Sequence, residues 1–181
     1  MNRPSQVPST WLSHTRRPRR NGNRLLTLVL SIFALGLVAP LAARRLPRHA
    51  GWVLAAPLLG VTAWLAARIP AVARGEALRQ AVDWVPALQV ALSFRLDGLG
   101  LLFALIVASI GTLIVVYSGG YLKGDPRLGR FLSFMLLFMG SMLGVVLADN
   151  VITLFVFWEL TSVTSFLLIG FDHEDPRSRR S

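Results

Sequence analysis

One carboxylate, Glu159, stands near the middle of DNVITLFVFWELTSVTSFLLIGF (149–171), a run long and apolar enough to cross a bilayer. At about 1.5 Å of rise per residue it lies roughly 12 Å beyond Val151, close to the centre of a ~30 Å hydrocarbon core. A charge at that depth costs about 2.5–3.5 kcal/mol or more, so a carboxyl there points to ion or proton traffic. The plainer reading is a protonated Glu that only hydrogen-bonds a neighbouring helix. Desolvation disfavours the charged form of a carboxyl and a nearby cation favours it, so moving a cation past such a group loads or releases a proton. On a helix, Ser162 lies one turn from Glu159, and Phe155, Val156, Val163 and Phe166 share the same stripe. Thr153, Thr161, Thr164 and Ser165 fall on the other side, a hydroxyl-bearing face suited to packing. Asp149 and Asn150 precede the run and can cap its first N–H groups.

Other chemistries are poorly served. The chain has no cysteine, which excludes disulfides, thiolate metal sites and iron–sulfur ligation. Its histidines, His14, His49 and His173, are scattered outside the apolar runs and lack metal-ligand spacing. Asp97 and Asp149 stand at helix starts, where the dipole favours an anion as a cap. No Ser–His–Asp set, phosphate loop or cofactor motif occurs, so neither a self-contained enzyme nor a bound cofactor is expected. The net charge of +10 is spread in short runs between apolar segments. That pattern belongs to loops at a membrane surface and argues against nucleic-acid binding.

The elements that must position Glu159 are apolar runs at 25–43, 51–67, 97–117, 131–148 and 151–171. They predict an all-α, polytopic membrane helix bundle of five spans. Residues 1–24 read as a disordered basic tail, 25–83 as two spans and the start of an outer loop, and 172–181 as a charged tail. Pro57 is expected to kink the second span, with Trp52 and Trp64 as interfacial anchors. In the long connection 68–95, Val90, Leu92, Phe94 and Leu96 alternate with Ala91, Ser93 and Arg95, which predicts one short strand in need of a partner. Gly100, Ala104, Ala108 and Thr112, and again Gly140, Gly144 and Ala148, form small-residue faces for close helix packing. Basic residues in the short loops after the first, third and fifth spans outnumber those on the other side, placing those loops in the cytoplasm. The arginines of the N-terminal tail count the other way.

LSFRLDGLGLLF, YLKGDPRLGRF, MLGVVLADN and FWELTSVTSFLLIGF resemble the N-terminal part of the large antiporter-like membrane subunits. These are the A-type subunit of Mrp-type multisubunit Na⁺/H⁺ antiporters and the chain 5 (L) subunit of NADH:quinone oxidoreductase, complex I. The resemblance covers 84–171. VDWVPAL, MLGVVLADN and WELTS followed by SFLLIGF favour the Mrp subunit. It implies that Glu159 is the family's essential fifth-helix glutamate, a proton carrier working with a lysine two helices later. It implies partners: other membrane subunits assembled in a bacterial plasma membrane to exchange protons for monovalent cations, Na⁺ among them. Family members continue through many more spans, so the expectation is a truncated or split antiporter subunit, unable to transport by itself. The alternative is a proton-translocating membrane-arm subunit of NADH:quinone oxidoreductase or a related hydrogenase. A third reading is a structural scaffold.

Overall fold

The computed structural model describes residues 24–85 and 90–170. The expected basic tail, apart from Arg24, and the charged tail at 172–181 lie outside the described residues, as does Phe171. Among the described residues, five helices are long and apolar enough to span a membrane. They are α1 (Arg24–Arg45), α2 (Ala50–Ala66) with its short continuation α3 (Ile69–Ala73), α4 (Gly98–Tyr121), α5 (Leu128–Val146) and α6 (Val151–Gly170). In hydrocarbon every backbone N–H and C=O must be satisfied within the segment, which makes helices of these runs.

Boundaries differ from expectation where packing overrides composition. The second span continues to Ala73, because Pro70 enters at the start of a new turn after a break at Ala67–Arg68. The third continues through Ser118-Gly119-Gly120 to Tyr121. Those glycines do not stop the helix because Gly119 packs on Gly51 of α2: a Cβ on Gly119 would lie 2.6 Å from the Gly51 Cα. The first expected small-residue face is buried; of the second, Gly140 and Gly144 are buried, while Ala148 is half-buried beyond the end of α5, in the turn that bridges to Phe94. Ala104 and Ala108 of α4 are fully covered, and Gly140 and Gly144 of α5 are buried as well.

α5 is the hub. Its Leu132, Leu136 and Leu143 are fully buried, with α1, α4 and α6 packed around it, while α2 lies against α4. α6 is the least covered span, burying only Thr153, Phe157 and Thr164.

The connection between α3 and α4 holds two strands where one was expected. β1 (Leu78–Val85) pairs antiparallel with β2 (Val90–Leu96), in the register Leu78↔Leu96, Gln80↔Phe94 and Val82↔Leu92. The partner of β2 is therefore supplied by the same loop. Leu92, Phe94 and Leu96 turn toward the helices, and Phe94 and Leu96 are fully buried. The alternation that marked the strand also orients it.

The hairpin sits on one end of the bundle, where α1, α4 and α6 begin and α2 and α5 end. Gln80 reaches from β1 to the start of α1: its Oε1 accepts the N–H of Leu25 at 2.9 Å and of Leu26 at 3.3 Å. Two orphan donors of the first turn are thus satisfied from 55 positions away.

Candidate functional site

α6 is fixed at its first turn. Asn150 Oδ1 accepts the Thr153 N–H at 2.7 Å, the geometry of an N-cap, while Asn150 Nδ2 donates to the Ala91 carbonyl of β2 at 2.8 Å. Thr153, fully buried, accepts the Ser93 N–H on Oγ1 at 2.8 Å. Two backbone bonds complete the seam: Arg95 N–H to Leu147 O at 2.7 Å and Asp149 N–H to Ser93 O at 2.8 Å. The α5–α6 turn thus lies along the edge of β2 not used by β1, bridged at Phe94↔Ala148. That leaves β2 paired on both sides.

Asp149 makes a different contact from Asn150. Its carboxylate faces Arg95 at 3.9 Å, and Asp97 Oδ2 meets the Arg95 Nε at 3.2 Å. Arg95 stands directly across from Arg79 in the hairpin, a like-charge pairing that costs stability, and the two carboxylates offset it. Asp97 also caps α4, accepting the Gly100 N–H at 2.9 Å. Of the two residues before α6, the capping side chain is Asn150.

From this anchored end the helix geometry sets the outlook of Glu159. Six residues beyond Thr153, it lies about 9 Å further along the axis and on the opposite side of α6. Thr153, Phe157 and Thr164 pack inward, with Phe157 filling the notch left by Gly144. Phe157 meets Phe94 edge-on at 5.8 Å and Phe33 at 6.4 Å between ring centroids. Glu159 is exposed, as are Phe155, Ser162, Val163 and Phe166 of its stripe. Among the described residues no ion pair includes Glu159.

The division into a carboxylate face and a hydroxyl face holds at the ends of α6 and blurs in its middle. Ser162 from the first face and Thr161 and Ser165 from the second line one groove of about 380 Å³ against Phe138, Met142 and Val145 of α5. Thr161 and Ser162 both donate to the Trp158 carbonyl, at 2.6 and 3.2 Å, leaving their oxygens free to accept. A carboxyl on an uncovered face beside a hydroxyl-lined groove can exchange a proton with a partner approaching from outside this five-helix set.

The sequence did not disclose Gln80, Thr153 as an acceptor, or Phe157 as the residue that seats α6. Phe157 stands four residues from Thr153 on one helical face, a spacing that marks it as packing. The other two act across about 55–60 positions and leave no local mark.

Residues 84–132 match the family described as NADH-ubiquinone oxidoreductase (complex I), chain 5 N-terminus. The chain is 46% identical over 145 residues to the Na(+)/H(+) antiporter A1 subunit of Staphylococcus aureus, covering 79% of this chain and 18% of that protein. It is similar to a chain of the solved Mrp complex from Dietzia sp., with a TM-score of 0.75 and 38% identity, covering 87% of this chain and 17% of that one. It shares a fold with a chain of an archaeal membrane-bound sulfane sulfur reductase, with a TM-score of 0.66 and 23% identity over 81% of this chain and 23% of that chain. The chain therefore spans about a fifth of the length of the relatives it matches.

Proposed function

We infer that this chain, which corresponds to the N-terminal part of the A-type subunit of Mrp antiporters, supplies the Glu159 carboxyl as proton carrier in a membrane cation/proton antiporter. The observation that supports this reading is that Glu159 stands near the middle of α6, on the side that the described helices leave uncovered. A carboxyl facing hydrocarbon is costly, so this face is read as one that meets further polar membrane helices. Other membrane subunits are the proposed partners, with protons and monovalent cations as cargo, in a bacterial cell membrane. Ser162 is proposed to accept a hydrogen bond from the protonated carboxyl.

Charge at the two ends of the bundle supports the orientation. The hairpin end carries Arg24, Arg68, Arg74, Arg79 and Arg95 against Glu76, Asp83, Asp97 and Asp149. Among the described residues, the other end carries Arg44, Arg45, Arg48, Lys123, Arg127 and Arg130 against Asp125. The strongly basic end is assigned to the cytoplasm and the hairpin to the outside.

The test is Na⁺-dependent collapse of a pH gradient in everted vesicles from antiporter-deficient cells expressing the assembled complex. Glu159→Gln should abolish it and Glu159→Asp should retain part. Unchanged antiport by Glu159→Gln at every pH would make Glu159 a scaffold residue and end this reading. A second reading, a membrane-arm subunit of a redox complex, draws on the match of residues 84–132 to the complex I chain 5 family. Co-purification with flavin or iron–sulfur subunits would favour it.

A further inference from the structure

α1 packs chiefly on α5 and α2 on α4, so these two consecutive helices are held by different neighbours. A groove of about 620 Å³ lies between them, within the range of small-molecule sites. It runs from Arg24 to Ser31 on α1 and from Pro57 to Trp64 on α2, in the half of the pair away from their connection at 46–49. Seven residues of each helix give it a length of about 10 Å. Leu28 and Val61 supply apolar lining. Gly60 keeps the groove open, since a Cβ there would meet nothing within 4 Å.

Polar and apolar parts are ordered along this length. At the hairpin end stand Arg24, the first residue of α1, and Trp64 of α2. A second guanidinium lies at that level: the Arg68 Cζ is 4.6 Å from the centroid of the Trp64 ring. Arg24 is exposed, the lining contains no carboxylate, and neither arginine has an ion-pair partner among the described residues. Tryptophan settles at headgroup level in a membrane, and the planar fork of arginine matches phosphate. A helix from another subunit would carry side chains along the whole groove and cover the guanidinium. A lipid puts its charge at one end and hydrocarbon along the rest, as the groove does.

We propose that this groove holds an anionic phospholipid of the hairpin-side leaflet, its phosphate at Arg24 and Arg68 and one acyl chain between α1 and α2 over Gly60.

The test is quenching of tryptophan fluorescence in the full chain, in a neutral detergent, by phosphatidylglycerol or phosphatidylcholine with brominated acyl chains. The part of the quenching that is lost in Trp64→Phe reports a chain beside that ring. Phosphatidylglycerol should produce it saturably, at several-fold lower concentration than phosphatidylcholine, and less readily as ionic strength rises. Arg24→Gln should raise the phosphatidylglycerol concentration required about five-fold and leave phosphatidylcholine unchanged. Arg74→Gln, at an exposed pair with Glu76, should alter neither. Gly60→Leu fills the open space without a clash, so it should remove the Trp64 signal for both lipids while the unfolding temperature without lipid does not fall. Equal response to the two lipids, an unaltered response in Arg24→Gln, or full quenching in Gly60→Leu would overturn the proposal. Displacement of phosphatidylglycerol by an equal concentration of inorganic phosphate would also overturn it, in favour of a free anion.

Discussion

Thr153 Oγ1 accepts the backbone N–H of Ser93 at 2.8 Å, joining a membrane helix to a surface strand 60 positions away. Thr153 is fully buried, so water cannot take over the bond. Thr153→Val keeps the shape and strands the amide, which costs about 1–3 kcal/mol. Thr153→Ser restores an acceptor and should recover most of that loss. Amide exchange at Ser93 is the direct readout: fast in the valine variant, protected in the serine variant. Protection in both would show that the hydroxyl contributes nothing.

Gly51 and Gly119 bring α2 and α4 into backbone contact. A Cβ at Gly51 would lie 2.8 Å from the Gly119 Cα, and neither backbone can step aside. Gly119→Ala should force the helices apart and lower the unfolding temperature by several degrees. Gly120→Ala, with nothing within 4 Å, should leave it unchanged or slightly higher, since Ala favours helix. Equal effects of the two substitutions would refute the close contact.

The Asp125 carboxyl is held below the usual carboxylate range, first by its side-chain hydrogen bond to Arg127 and then by the Arg127 backbone N–H; burial opposes this weakly. A depressed folded pKa means that the ionised form stabilises the α4–α5 loop. That stabilisation is present above the ordinary aspartate pKa and is lost as pH falls through the lowered value. Protease cleavage within 122–127 should therefore stay slow at neutral pH and accelerate under acid. Asp125→Asn should cleave faster at neutral pH and flatten the acid dependence. An unaltered acid limb in Asp125→Asn would assign it to another group.

Gln80 caps α1 from the hairpin. Gln80→Ala leaves the Leu25 and Leu26 amides without that acceptor, at a cost of about 0.5–2 kcal/mol. Hydrogen exchange should quicken in the first turn of α1 and stay unchanged in α5. Uniform change across both helices would point to global destabilisation instead.

The spans were legible because hydrocarbon leaves the chain few options: an apolar run near Glu159 or along Gly100–Thr112 must be a helix. The inward face of β2 was legible because its period of two is local. Its second strand was not, because Leu78–Val85 mixes Arg79, Gln80 and Asp83 with Leu78 and Val82 and shows no clean alternation. The end of α4 lies beyond the expected 97–117 because Gly119 packs on the distant Gly51, a contact with no local mark in the sequence. At the candidate site, the depth of Glu159 follows from counting residues. Its outward direction depends on which residues of α6 pack, and Phe157 against Gly144 decides that.

The seam between β2 and the first turn of α6 acts as a datum from which the rest of that helix is measured. Phase along an α-helix accumulates at about 100° per residue. One residue inserted between Thr153 and Glu159 would therefore swing the carboxylate a quarter-turn or more and lower it about 1.5 Å, with every contact at the seam preserved. The same insertion after Glu159 would leave it in place. Lengths between the hairpin and the carboxyl are thus fixed to the residue, while lengths beyond it are free to drift.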